Sequence, residues 1–216
     1  MNKNGYIDLI PECDPKEAIA FVKNNKCLYI GYQNWGVGKI VPKATVKLGY
    51  NSKGIALLFE VEEYESLSRY TNCNDPVYKD SCVEFFFTTP GDKNYYNFEF
   101  NSLGAVLSQV GSSRENREFC QNSQLSSIYR SCNYSFNKTI QNNAQLFIAE
   151  WELGVFLPAS LLKERGVVLK SKNQILANFY KCGDDLADPH YLSWNPVVCN
   201  NPDFHRPEFF APLEFV

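Results

Sequence analysis

The chain has 216 residues, with 21 Lys or Arg and 24 Asp or Glu, so its formal net charge at pH 7 is −3. The two signs are interspersed along the sequence, and the absence of a basic stripe argues against nucleic acid as a partner. The longest apolar runs, 55–59 and 83–87, are far shorter than the ~20 residues that cross a bilayer, so membrane insertion is excluded. Aromatic residues are abundant (16 Phe, 13 Tyr and 3 Trp), which favours β-sheet.

The amino terminus has no continuous apolar stretch followed by a small-residue cleavage site, so no secretory signal is predicted. The chain is therefore expected to be cytoplasmic, or exported with its signal already removed. Eight cysteines are present, but no CxxC or HxxxH spacing indicates a zinc site. Because Cys27, Cys82 and Cys182 lie in apolar strand-like runs, most of the cysteines are expected to be unpaired and buried.

In chain order, the pattern predicts one helix, a long series of strands and a second short helix. Asp14 precedes a proline and apolar residues at helical spacing, which predicts a helix over 14–24. The stretch 51–54 predicts a hairpin turn, and 158–165 predicts a helix. Aromatic or β-branched runs bounded by turn residues predict strands at 27–32, 43–50, 54–63, 82–88, 95–101, 104–110, 132–136, 145–155 and 174–182.

Many short strands with frequent turn signals are typical of an antiparallel sandwich or barrel. We predict a single all-β domain over residues 1–216, with one or two short peripheral helices. The stretches 64–81 and 111–130 are polar and poorly periodic, so both are predicted to be long loops. Long loops on a rigid sheet are where binding residues usually lie.

Side-chain alternation assigns the two faces of the strands at 82–88 and 95–101. Glu84 lies on one side of the first strand, and Asn97, Glu99 and Asn101 share one side of the second. Amide and carboxyl groups of this kind bind sugar hydroxyls, although a solvated sheet face gives the same pattern. The opposite sides are predicted to face the core through Phe85, Phe87, Phe98 and Phe100.

No motif for a known catalytic centre is present: the chain lacks a GxSxG elbow, a phosphate-binding P-loop, a GxGxxG fingerprint and an HExxH helix. The pair Glu84 and Glu99 remains, because a glycosidase places two carboxyl groups around one bond. Their separation is not determined by sequence, and solvated surface carboxylates are the alternative interpretation.

Five segments in this order resemble the family 9 carbohydrate-binding modules, which are β-sandwiches of the DOMON-like type. They are NDPVYKDSCVEFFF (74–87), YYNFEFNSLGAVL (95–107), ILANFYKCGDD (175–185), HYLSWNPV (190–197) and PDFHRPEFFAPLEF (202–215). The resemblance covers about residues 40–216, and the first forty residues are less distinctive.

The resemblance implies that a mono- or oligosaccharide is held between two aromatic rings and hydrogen-bonded by polar side chains of neighbouring strands. By motif position the two rings are Tyr78 and Phe204. The strand carboxylate is Glu84, the amide that ends the next strand is Asn101, and an amide before the second ring is Asn201.

Two departures from the family's pattern affect this site. Tyr78 and Phe204 replace the usual tryptophans and offer less ring area for stacking. Glu99 stands where binding members carry an arginine, so the ligand or its contacts can differ. The resemblance leaves calcium open as a cofactor, and the candidate oxygen ligands are Asp75, Asp80, Asp184, Asp185 and Asp188.

The leading hypothesis is therefore non-catalytic carbohydrate binding in polysaccharide utilisation, with association with a glycoside hydrolase left open. The first alternative is a glycoside hydrolase or another sugar-processing enzyme that uses Glu84 and Glu99. The second is a haem-binding redox protein, since distant DOMON-like relatives hold haem through Met and His. Against it, Met1 is the sole methionine, and His190 and His205 lie late in the chain.

Overall fold

The computed structural model describes residues 5–35, 41–141 and 144–216. This part of the chain forms fourteen β-strands, three α-helices and two short 3₁₀ turns, Val77–Lys79 and Pro207–Phe209. The helices are α1 (Pro15–Val22), α2 (Asn122–Ser126) and α3 (Ala159–Lys163). The strands are β1 (Gly5–Leu9), β2 (Cys27–Tyr29), β3 (Tyr32–Trp35), β4 (Lys43–Asn51), β5 (Gly54–Glu63), β6 (Cys82–Thr88), β7 (Tyr95–Asn101), β8 (Val106–Gly111), β9 (Glu118–Phe119), β10 (Tyr129–Gln141), β11 (Ala144–Pro158), β12 (Gln174–Cys182), β13 (Tyr191–Ser193) and β14 (Ala211–Phe215).

The predicted strands at 82–88, 95–101 and 174–182 are confirmed, as is the hairpin between β4 and β5. The first predicted helix is α1. The Asp14 side chain accepts from the Glu17 backbone N–H, and the Glu17 side chain accepts from the Asp14 backbone N–H, so the two residues form a capping box. The long loop predicted over 111–130 is partly wrong, because it contains β9 and α2. The pattern missed β1, β13 and β14, which have only three to five residues each.

The strands form one continuous hydrogen-bonded network that curls into the two facing layers of a β-sandwich. The first layer has the order β10-β11-β5-β4, with β2 also paired to β4. The second has the order β12-β6-β7-β8-β9, with β13 and β3 extending from β12. Strands β1 and β14 join the layers between β4 and β12.

The predicted β-sandwich is confirmed, but its pairing is mixed rather than purely antiparallel. Strand β1 runs parallel to both of its neighbours, with Gly5 opposite Leu213 of β14 and Asp8 opposite Gly49 of β4. It fills the gap between two strands that already run in its own direction.

Side chains from both layers fill the main core. Phe59 of the first layer contacts Phe179 of the second with a centroid distance of 6.3 Å, and Phe179 stacks on Phe85 at 5.0 Å. The four phenylalanines predicted to face the core are fully buried, and burial of each contributes about 1.5–3 kcal/mol. Trp151 and Trp194 are buried in the same core.

Helix α1 packs against the outer face of the first layer, where Ala18, Ile19 and Val22 are buried. The helix lies close because a glycine stands beneath it: a Cβ on Gly154 of β11 would come within 2.5 Å of Ile19 Cγ2. None of the helices in the described part of the chain has the length and apolar character needed to cross a membrane.

The eight cysteines are free thiols, and Cys82, Cys120 and Cys182 are the buried ones. The expectation that most are buried is wrong. Cys27, for example, lies on the short edge strand β2 and is half-buried, and Cys132 on β10 is exposed. Both strands lie at or near an edge of the first layer, where one side of the strand is open.

The outer face of the second layer is covered and not solvated. The segments 64–81 and 183–210 fold over it, and a second apolar cluster forms there around Phe86, Tyr180, Val197, Phe204 and Phe210. Because both faces are covered, all seven residues of β6 are buried. This covered face contains the candidate site.

Candidate functional site

A cavity of about 330 Å³ lies on the outer face of the second layer, at the lower end of the usual range of about 300–1,000 Å³ for small-molecule sites. The strands form its floor, and the segments 77–79, 111–116 and 200–206 contribute its walls. The floor residues on β6, β7, β8 and β12 are Glu84, Phe86, Glu99, Leu107, Gln109 and Cys182.

Two carboxyl groups lie side by side in this floor. Glu84 of β6 is directly opposite Glu99 of β7 in the strand register. Alternation turns both away from the phenylalanines that face the core, as predicted. Their surroundings differ from a solvated sheet face, because Glu84 is 3% exposed and Glu99 is 4% exposed. The alternative interpretation as solvated surface carboxylates is therefore wrong.

Few donors reach these carboxyl groups. The Cys182 thiol donates to Glu84 Oε1 at 3.1 Å, and Asn97 Nδ2 donates to Glu99 Oε1 at 2.8 Å. The Oε2 atom of each glutamate has no hydrogen-bond partner among the described residues. Burial raises the pKa of Glu99 to about 7, and burial, Cys182 and the neighbouring Glu99 raise the pKa of Glu84 well above 4.5. Near pH 7 the pair therefore holds at least one proton.

An arginine contacts the floor through Asn97. Arg117 Nη2 donates to Asn97 Oδ1 at 2.8 Å, and Asn97 Nδ2 in turn donates to Glu99 Oε1. The Arg117 guanidinium also lies 4.1 Å from the centre of the Tyr95 ring. A positive charge is thus present near Glu99, but it comes from the segment before β9 and acts through an amide.

We expect the pH dependence of stability to report the Glu99 environment. A raised pKa means that the folded state binds the proton more tightly, so the contribution of Glu99 to stability is fully present below pH 4.5 and is lost as the pH rises through about 7. Glu99→Gln should remove on the order of 2 kcal/mol of that fall, measured by urea unfolding across this range. The exposed Glu118 provides the control variant Glu118→Gln, whose pH profile should follow the wild type. Parallel profiles for wild type and Glu99→Gln would contradict this account of the floor.

Tyr78 forms one aromatic wall. It lies in the 3₁₀ turn that precedes β6 and is half-buried, so part of its ring faces the cavity. Burial raises the pKa of its hydroxyl. The turn is fixed by the Asp80 backbone N–H, which donates to the Val77 carbonyl at 3.0 Å.

Phe204 also lines the cavity but is more deeply packed than Tyr78. Its ring stacks on Tyr180 with centroids 4.1 Å apart and an interplanar angle of 16°, and Trp35 and Tyr191 lie 5.7 and 6.2 Å away. Only 9% of the residue is exposed. Tyr180 therefore occupies one face of the ring, and contact with a ligand is limited to what remains.

Charged and polar groups complete the rim. Asp203 lies 3.8 Å from the exposed Arg114, and Asp184, whose backbone N–H donates to the Tyr78 carbonyl, also lines the cavity. His205 Nδ1 is 3.0 Å from the Tyr95 hydroxyl, and burial and two neighbouring arginines lower the pKa of this imidazole to about 3. The ring is therefore neutral at pH 7 and offers one donor and one acceptor.

Asn101, the predicted amide at the end of β7, does not line the cavity. It is fully buried under the segment 64–81, and its amide is saturated. Nδ2 donates to the Tyr70 carbonyl and to Asp80, and Oδ1 accepts from the backbone N–H groups of Leu103 and Ala105. It holds the turn after β7 in place.

Asn201 is exposed and is also absent from the cavity wall, although the next three residues line it. The structure therefore brings together four of the six predicted ligand-binding residues: Tyr78, Glu84, Glu99 and Phe204. Their role in binding stays a prediction.

The acidic residues considered for calcium do not converge. Asp80 is buried and accepts from the backbone of Arg69 and Tyr70, Asp185 pairs with Arg69, and Asp75 accepts from Asn72. Within the described ranges, the one group of three converging metal-ligand side chains is Cys82, Glu84 and Cys182.

The two histidines lie in different environments. His190 lies against Lys181 and His205 against Tyr95, so they do not form a pair of axial ligands. This arrangement gives no support to haem binding.

Sequence reasoning missed several cavity residues. Asp203 and His205 flank Phe204 in the PDFHRP segment, and their position beside a candidate ring was the available signal. No sequence signal indicated Gln109, Arg114 or Tyr191, because they come from segments whose position at the cavity depends on the tertiary fold.

Aromatic and carboxyl side chains around one cavity of a β-sandwich are the groups that a carbohydrate-binding protein uses. Comparison with protein families supports this: the model of carbohydrate-binding family 9 matches residues 16–215. The chain therefore belongs to carbohydrate-binding family 9, whose function is non-catalytic carbohydrate binding. No curated protein sequence matches it.

Solved structures agree with this assignment. A candidate carbohydrate-binding protein from Bacteroides uniformis ATCC 8492 is 28% identical, with all of both chains covered and a TM-score of 0.84. A family 9 module from Caldicellulosiruptor kristjanssonii in complex with cellotriose is 11% identical, with a TM-score of 0.55 over 99% of this chain and 93% of that one. The structure of a family 9 module from the same organism in complex with glucose shows 12% sequence identity and a TM-score of 0.56, over 99% of this chain and 96% of that one. At these two identities the likeness concerns the fold alone.

Proposed function

We propose that this protein binds a mono- or oligosaccharide in the cavity between Tyr78 and Phe204, and that it does so without catalysis. The observation that carries the proposal is the convergence of two aromatic side chains and two carboxyl groups on one cavity. Aromatic faces suit the apolar side of a sugar ring, and carboxyl groups suit its hydroxyls.

Each part of the cavity supplies a different contribution to binding. The half-exposed Tyr78 ring offers stacking area, which is the main favourable term once sugar hydroxyls have exchanged water for protein partners. Glu84 and Glu99 offer oxygen atoms whose hydrogen-bonding capacity is not used up. Gln109 and His205 add groups that both donate and accept.

The charges around the cavity favour a neutral sugar. Four carboxyl groups line it, from Glu84, Glu99, Asp184 and Asp203, and even with one proton on the Glu84–Glu99 pair the carboxylates outnumber the single guanidinium of Arg114. That guanidinium already lies beside Asp203. A uronic acid would add a further negative charge to this site, so glucose should bind more tightly than glucuronate.

A hydrolase would also need two carboxyl groups, but their arrangement argues against one here. Glu84 and Glu99 are cross-strand neighbours in one floor, so both meet a bound ring from the same side. Glycosidases place their two carboxyl groups on either side of the scissile bond. We therefore assign binding rather than bond cleavage to this pair.

The proposal is tested by calorimetric titration of the full chain with glucose, cellotriose and glucuronate. We expect binding of a neutral sugar with no product formed, and Tyr78→Ala should weaken it by about 1 kcal/mol or more, roughly a fivefold loss of affinity. Tyr29, which is 67% exposed and lies on β2, provides the control variant Tyr29→Ala.

Three results would count against the proposal. They are undiminished binding by Tyr78→Ala, hydrolysis of cellotriose, and the absence of binding in a wider panel of neutral sugars. A binding protein without catalysis contributes to polysaccharide utilisation only beside an enzyme that cleaves the polymer. We therefore also propose a glycoside hydrolase as its partner, which co-purification with a hydrolase would test.

A further inference from the structure

Two cysteines that lie 100 positions apart in the sequence meet in the second layer. Cys82 begins β6 and Cys182 ends β12, and the two residues are directly opposite in the strand register. Glu84 lies two residues after Cys82 on the same face of β6. One ligand atom from each of the three side chains lies within 4.8 Å of the other two, and all three residues are buried.

This spacing matches what one small metal ion requires. Zinc–sulfur and zinc–oxygen bonds are about 2.3 and 2.0–2.2 Å long, so two ligand atoms of one tetrahedral ion lie about 3.3–3.8 Å apart. Only small side-chain movements separate the present positions from that geometry. Glu84 is only 3% exposed, and its Oε2 atom has no hydrogen-bond partner among the described residues.

The ligand set also selects the class of ion. Two sulfur atoms and one carboxylate suit a thiophilic divalent cation, whereas calcium and magnesium bind through oxygen ligands. A hard cation therefore does not fit this cluster.

We propose that Cys82, Glu84 and Cys182 form a binding site for a thiophilic divalent cation such as Zn²⁺. When the ion binds, the two thiols, and Glu84 where it carries a proton, lose their protons to solvent, so two thiolates and one carboxylate supply three negative charges against two positive ones. Three protein ligands leave a fourth coordination position for water or another small oxygen ligand. Cys182 and Glu84 also line the cavity, which provides the route by which the ion enters. This site does not depend on the proposed sugar binding.

The test uses Co²⁺ as a spectroscopic probe on the reduced full chain, because thiolate-to-cobalt charge transfer gives an ultraviolet absorption band. We expect a band that saturates at one equivalent of Co²⁺ and is displaced by Zn²⁺. Cys82→Ser and Cys182→Ser should each lose the band, and Glu84→Gln should weaken Co²⁺ binding at least tenfold. Cys132→Ser, at an exposed cysteine of β10, is the matched control and should keep it.

A second measurement avoids the risk that a buried substitution disturbs folding. Wild-type protein is alkylated with and without Zn²⁺, and the modified cysteines are identified by mass spectrometry. We expect Zn²⁺ to slow modification of Cys82 and Cys182 at least tenfold and to leave Cys132 unchanged. The proposal is overturned if Zn²⁺ protects neither buried cysteine, or if the cobalt band persists in Cys182→Ser.

Discussion

Replacing Lys181 with methionine is expected to lower the free energy of unfolding by about 3–5 kcal/mol. Lys181 Nζ lies 2.8 Å from Glu63 Oε2, in an ion pair that bridges the two layers, and the two side chains are 0% and 2% exposed. Methionine keeps the apolar length of the side chain and removes its charge. The variant then leaves Glu63 as a buried carboxylate without a cation, and the large effect comes from that.

The surrounding contacts explain why the Glu63 carboxylate stays charged. Trp151 Nε1 donates to Glu63 Oε1 at 2.7 Å, and Lys181 also donates to the Cys182 carbonyl and to His190 Nε2. Burial alone would raise the pKa of Glu63, but the Lys181 charge and the hydrogen bonds that Glu63 accepts from Lys181 and Trp151 lower it below 4.5. Burial and the Lys181 charge lower the pKa of His190 to about 4, so its ring is neutral and accepts.

Urea unfolding at several pH values checks this prediction. A lowered pKa gives a stabilisation that is fully present above pH 4.5 and is lost as the pH falls. The difference in the free energy of unfolding between wild type and Lys181→Met should therefore shrink as the pH is lowered, because Glu63 can then take up a proton. Lys43→Met at an exposed ion pair should cost less than about 1 kcal/mol, and Glu63→Gln in the Lys181→Met background should restore part of the loss. Equal costs for Lys181→Met and Lys43→Met would refute the buried-pair account.

Phe204→Ala is expected to lower the free energy of unfolding by about 3 kcal/mol and also to weaken sugar binding. Truncation of a buried phenylalanine usually costs about 3–5 kcal/mol, and the lower end applies because one side of this ring already faces a cavity. The motif position alone suggests a ligand contact whose loss leaves stability almost unchanged. The stacked contact with Tyr180 leads to the opposite expectation for stability.

A second substitution separates the two roles of Phe204. Phe204→Leu keeps most of the apolar volume and removes the ring, so it should cost less than about 2 kcal/mol of stability while still weakening sugar binding. Phe119→Ala, at a residue 58% exposed, serves as the control with an expected effect within about 0.5 kcal/mol. If Phe204→Ala unfolds with the wild-type free energy, the residue is not part of the second apolar cluster.

The contrast between Asn101 and Glu99 shows how far the candidate site could be predicted. Alternation placed both side chains on the same face of β7, and that assignment is correct for each of them. Only Glu99 reaches the cavity, because the segment 64–81 covers the end of the strand and Tyr70 and Asp80 occupy the Asn101 amide. Alternation gives the face of a strand, but not which part of that face a loop later covers.

The sequence by itself determined the local features of this protein: its β-rich class, the α1 capping box, the hairpin after β4 and the phenylalanines that face the core. These depend on neighbouring residues, through side-chain period and turn chemistry. Only the tertiary structure decided the parallel pairing of β1, the burial of Glu84 and Glu99, and the meeting of Cys82 with Cys182. Each of these requires contacts between segments far apart in the chain, and such contacts are set by how the two layers and their covering loops pack. No local pattern contains that information.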